Sequence, residues 1–209
     1  RGTLSTAVFE KESVNAVGGQ LYVANSTVLT SSLLHPDPYY KATDTTMSVV
    51  NVSGFTGSYN GDGEILALKK VTSTGFATEY VLVNSASRNN ASSENDLSGN
   101  IYVTRGYTKN EQTSSLGDLV SVAQTYSGSQ VLVSTGRPGT GYIRLNANPN
   151  DPYTPYIDIV ERTGSAIYDI DLKARLGDLS GLSQTHLHGT DPNTAGFGLY
   201  SQNVFLEGG

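Results

Sequence analysis

The residues of greatest chemical potential are His186-Leu187-His188. Two imidazoles at i and i+2 of an extended strand point to one side. Three such pairs around a threefold axis would gather six nitrogens, an octahedral set suited to Fe²⁺ or Ni²⁺. The competing reading is two solvated histidines in a Gly, Thr and Asp-rich loop. Asn60, Asp62 and Glu64 alternate oxygens as part of a calcium loop does, but the downstream bidentate Glu is missing and a hairpin turn explains the same residues. Asp158, Glu161, Asp169 and Asp171 could supply a glycosidase carboxylate pair; beside Arg144, Arg162, Lys173 and Arg175 they read instead as ion-pair partners. No Gly-x-Ser-x-Gly elbow is present and the chain has no Cys, so no nucleophilic triad is assigned. The chain is expected to be non-enzymatic and to need no cofactor.

Thirteen Tyr and no Trp raise a carbohydrate reading, because aromatic faces stack on sugars. Tyrosine is also an ordinary strand residue with one wet end. Tyr39, Tyr40 and Tyr153 stand out as sugar-binding candidates because they occur in Pro/Asp loops, whereas Tyr107, Tyr126 and Tyr156 suit strands.

Elements that alternate with period two must hold these groups. The runs are 21–23, 47–52, 64–71, 79–84, 100–105, 130–134, 141–146, 156–162, 166–176 and 198–207. Asn60-Gly61-Asp62-Gly63 accepts positive φ and predicts a hairpin turn. The best helix candidate, 169–179, alternates Leu172, Ala174 and Leu176 with Lys173, Arg175 and Gly177, which suits a strand. The expected class is all-β with almost no helix: an antiparallel, sandwich-like N-terminal domain over 1–125, then a fibre-type β domain over 126–209 that continues past Gly209. A smaller break is expected at 183–196.

Within 156–161, Ile157 and Ile159 share one face while Tyr156, Asp158 and Val160 share the other. A monomeric sandwich would use both faces, and so would a sheet whose second face packs on copies of itself.

Composition excludes several classes. Charged residues are 15% of the 209, and Gly (23), Ser (24), Thr (22) and Asn (15) fill the gap, which favours turns and short strands over a helical bundle. The net charge of −6 offers no basic footprint for nucleic acid, and no apolar run is long enough for a membrane helix. Without Cys, packing and strand ladders alone must hold the chain.

The strings Gly139-Thr-Gly-Tyr-Ile-Arg-Leu-Asn-Ala-Asn-Pro-Asn-Asp-Pro-Tyr-Thr-Pro-Tyr-Ile-Asp-Ile-Val-Glu-Arg-Thr-Gly164, Ile167 to Gly181 and Gly196 to Gly208 resemble segments of tail-fibre and tail-tip proteins of tailed bacteriophages and their prophage relatives. The opening Val8 to Gly19 is similar to the module that precedes such segments. The resemblance covers about half the chain, most densely from residue 130. It implies an elongated, β-rich, homotrimeric element of the virion tail, displayed extracellularly for host attachment. Its implied partners are copies of itself and other tail proteins, with a host surface glycan as a further candidate. Two alternatives stay open. One is a self-polymerising extracellular filament subunit, in which a segment such as Thr3 to Val17 pairs with a neighbour's sheet edge. The other is a monomeric carbohydrate-binding β-sandwich.

Overall fold

The computed structural model describes residues 6–10, 20–30, 39–57, 62–72, 75–108, 122–147, 151–187 and 189–208. In chain order the elements are β1 (Thr6–Glu10), β2 (Gln20–Ala24), β3 (Ser26–Val28), β4 (Tyr39–Tyr40), β5 (Thr46–Val49), β6 (Ile65–Thr72), β7 (Gly75–Arg88), β8 (Gly99–Thr104), β9 (Tyr126–Ser127), β10 (Val131–Ser134), β11 (Gly141–Asn146), β12 (Tyr156–Arg162), β13 (Ile170–Asp178), α1 (Pro192–Ala195) and β14 (Phe197–Ser201). The protein is all-β; among the described residues its helix is the single turn of α1, capped by Asp191.

Two six-stranded antiparallel sheets carry the fold, in the orders β1-β2-β11-β12-β13-β14 and β3-β10-β6-β7-β8-β5. The second sheet curls until its edges approach. Leu29 bridges Val49, Thr30 N donates to Ser48 O at 2.9 Å and Val50 N to Val28 O at 3.0 Å, so one sheet folded on itself forms a near-barrel. Period-two alternation explains the closure. Leu66 and Leu68 of β6, Val81 and Val83 of β7, and Ile101 and Val103 of β8 all turn into one core. Each such side chain contributes roughly 1.5–3 kcal/mol on burial. Glu79 is also fully buried. It accepts from Arg105 Nε (2.7 Å) and Nη2 (2.9 Å) and from the backbone N–H of Gly106 (3.0 Å) and Gln124 (2.8 Å), which offsets the cost of burying its charge.

Sheet membership does not follow a linear division at 125/126. β1 and β2 join β11 to β14 in the first sheet, and the near-barrel of β3, β5 to β8 and β10 is inserted between them in the chain. The chain enters and leaves the insert side by side, with Ser134 N donating to Asn25 O at 2.7 Å. Ile65, Leu82, Tyr107 and Ile167 pack together between the insert and the first sheet, and Tyr107 Oη donates to Ser165 O at 2.8 Å. Arg162, 1% exposed, crosses the same junction. Its guanidinium donates to Thr135 O (3.2 Å), Thr135 Oγ1 (2.8 Å) and the carbonyl of Ala166. Burial pushes its pKa down, against the opposing pull of Tyr142, Tyr80 and Asp169.

The expected strand over 166–176 starts at Ile170, after turns over 166–168, and the run to 207 ends at Ser201. Of the expected hairpin turn, Asn60 and Gly61 lie outside the described residues.

Candidate functional site

The two faces of the first sheet differ sharply, because opposed residues of antiparallel strands share a face. One face carries Tyr142, Arg144, Tyr156, Asp158, Val160 and Arg175, with Tyr142 opposite Val160 and Asp158 between Arg144 and Arg175. The insert covers one end of this inner face through Lys69 over the Tyr22 ring (5.8 Å) and through Arg162. Turns over 180–187 cover the other end.

The opposite, outer face pairs Leu145 with Leu21 and Ile157, Ile143 with Val23 and Ile159, and Leu176 with Ile157 and Leu199. It lies open. Leu176 is 57%, Leu199 63% and Phe197 70% exposed, and Ile143, Ile157 and Ile159 are exposed beside them. Leu21, Leu145, Ile157, Leu176 and Phe197 line a hollow of about 560 Å³ on this face. An irregularity between Ile159 and Val160 keeps the division clean: it skips Lys173, so Leu172 opposes inward Val160 while Ala174 opposes outward Ile159.

On the inner face Asp158, 1% exposed, forms the centre of an ion network. Arg175 reaches it with Nε on Oδ1 (2.7 Å) and Nη2 on Oδ2 (2.9 Å), a two-point fork, and Arg144 Nη2 adds a bond to Oδ2 at 2.8 Å. Near β13, Lys173 Nζ bridges Asp171 (2.8 Å) and Glu161 (2.9 Å), and the hydrogen bonds from Lys173 and Gln202 hold the Asp171 carboxyl below its usual range. Burial pushes the neighbouring Tyr142 phenol up. The strand acids expected to make ion pairs do so at 158, 161 and 171. Arg162 is the exception, satisfied largely by carbonyls. Asp169 Oδ2 accepts from Ala166 N at 2.9 Å and so shapes a turn.

The sugar and metal candidates are dispersed. Tyr40 is 1% exposed, with its hydroxyl bonded to the carbonyls of Thr30 and Ser48, so it belongs to the near-barrel core and has no free face for a sugar. Tyr39 lies beside it in β4. Tyr153 is 42% exposed and packs behind Gly181, where a Cβ would stand 3.0 Å from that of Tyr153. His186 occupies a turn over 184–187, contrary to the extended strand that a paired imidazole site required. Its Nδ1 is bonded to Ser183 Oγ at 2.7 Å and its ring meets Tyr200 edge-on at 5.3 Å. His188 lies outside the described residues. Among the described residues no group of three or more His, Cys, Asp or Glu is placed to hold a metal, and no helix is long and apolar enough to cross a membrane.

Sequence reasoning missed the Arg144–Asp158–Arg175 network as a unit, although the alternation of β12 already placed Asp158 opposite Ile157 and Ile159. No family model, no curated protein and no solved structure matches this chain.

Proposed function

We propose that this chain is a structural element of a bacteriophage tail fibre or tail tip, assembled as a homotrimer, that carries the particle's attachment to its host. The open outer face of the first sheet carries the reading. Six large apolar side chains, Ile143, Ile157, Ile159, Leu176, Phe197 and Leu199, stand exposed on adjacent strands. A contiguous apolar surface of this kind marks an interaction site, and a surface repeated on identical chains is satisfied most simply around a closed rotation axis. The resemblance of 139–164, 167–181 and 196–208 to tail-fibre segments supplies the context.

The filament alternative loses support from β1. Thr6–Glu10 pairs with β2 of its own chain, in register from Thr6 opposite Ala24 to Glu10 opposite Gln20, and so is engaged at home.

Sedimentation of the purified chain, with negative-stain imaging, tests the proposal. The expected species has three times the 22.1 kDa mass of one chain and an elongated outline. A compact particle of single-chain mass overturns it.

A further inference from the structure

The inner face of the first sheet is incompletely roofed. Between β11–β13 and the turns over 181–186 lies a cleft of about 300 Å³, whose walls include Tyr142, Arg144, Leu172, Leu182, Ser183 and His186. We infer that this cleft binds a carboxylate-bearing sugar, with the Arg144 guanidinium as its anion anchor.

The assignment begins with a surplus cation. The fork from Arg175 already engages both oxygens of Asp158, so Arg144 adds a second positive charge to a carboxylate that is fully served. Arg144 Nε is buried without a hydrogen-bond partner among the described residues, and its side chain is 26% exposed. An unpaired buried donor costs about 1–3 kcal/mol, which an incoming acceptor recovers when the guanidinium turns toward it. Asp171, the other acid of the lining, does not cancel this charge, because Lys173 and Gln202 hold it at 2.8 Å each.

The rest of the cleft selects the body attached to the anion. Leu172 and Leu182 offer apolar surface, Tyr142 an aromatic ring, and Ser183 and His186 a hydroxyl and an imidazole. Guanidinium for carboxylate, aliphatic and aromatic surface for the C–H face of a ring, and donors and acceptors for its hydroxyls are the complement of an acidic monosaccharide. The site lies on the opposite side of the sheet from the open apolar face and does not depend on the assembly proposed above.

Titration of the ¹⁵N-labelled full chain tests it, with galacturonic acid and N-acetylneuraminic acid as probes, galactose as the ring without the charge, and acetate and sulfate as charge without the ring. At least one acidic sugar should saturate shifts at Tyr142, Arg144 and 182–186 with a Kd of about 0.1–10 mM, and galactose, acetate and sulfate should bind at least roughly tenfold more weakly. Arg144→Gln should weaken that binding at least about tenfold. Because this change touches the buried network, Ser183→Ala on the exposed turn serves as a second variant; it should weaken binding about threefold with unchanged circular dichroism. No saturable shift with either sugar, equal response to acetate or sulfate, or unaltered affinity in both variants overturns the inference. A single-chain species that still binds the acidic sugar removes the assembly and leaves this site standing.

Discussion

The guanidinium carbon of Arg175 stands 3.6 Å from the centroid of the Tyr156 ring, and the same side chain grips Asp158 through Nε at 2.7 Å. One residue thus serves as a cation over an aromatic face and as half of a buried ion pair, and it joins β12 to β13 on the inner face.

Removing the carboxylate should therefore be costly. Asp158→Ala leaves two arginines without their shared anion and should lower unfolding free energy by roughly 3–5 kcal/mol in urea titration. Asp158→Asn should lose less, since an amide oxygen still accepts from one guanidinium. A loss under about 0.5 kcal/mol for Asp158→Ala would show that the network contributes little.

Adjacent residues of β12 should respond in opposite ways. Ile159→Asp faces outward and should leave the melting transition within about 1 kcal/mol of the wild type while dissociating the homotrimer proposed above. Val160→Asp buries an unpaired charge on the inner face and should cost several kcal/mol, roughly 3 or more. Thermal melts combined with light scattering separate the two effects.

Glu64 sets a pH dependence. Burial raises its carboxyl above the ordinary 4.5, against the opposing hydrogen bond from Ser134 Oγ. The folded chain holds this proton more tightly than the unfolded chain does. The stabilisation is therefore complete below the unfolded pKa and is lost as pH rises through the raised one. Glu64→Gln should match the wild type near about pH 4 and exceed its urea midpoint near about pH 7, the gap widening with pH. A gap that narrows instead would refute the sign.

Gly177 is a backbone requirement of β13. Its φ is +132°, and a Cβ there would meet Pro155 O at 2.4 Å and Tyr156 Cα at 2.7 Å. Gly177→Ala should cost at least about 1–3 kcal/mol in chemical denaturation, since neither contact is a movable side-chain tip.

Much of the strand content was legible because alternation is local. The runs over 141–146 and 156–162 coincide with β11 and β12, and the contrast of Ile157 and Ile159 with Asp158 and Val160 anticipates the two faces. What periodicity cannot convey is which strand lies beside which. Nothing local in Leu21-Tyr22-Val23 indicates that it pairs with Ile143 to Leu145 across the whole insert. The same limit misplaced Tyr40: a Pro/Asp-rich neighbourhood reads as surface, yet pairing with Tyr126 draws the ring into the core. β3, β4 and β9 span two or three residues each, too short for a period to register. For His186 the sequence leaves an extended, metal-binding pair and a solvated loop both open; the turns over 184–187, where Ser183 Oγ meets its ring and its backbone N–H, correspond to the loop.

The doorway between Asn25 and Ser134 has an evolutionary corollary. Because the two passages run side by side, with Ser134 N donating to Asn25 O at 2.7 Å and β3 pairing with β10 directly beyond it, a gene segment encoding everything between them can be exchanged for another whose ends are equally close, and the chassis on either side need not lengthen, shorten or re-register. Such an exchange would leave the pairing of Leu21 to Val23 with Ile143 to Leu145 as it is.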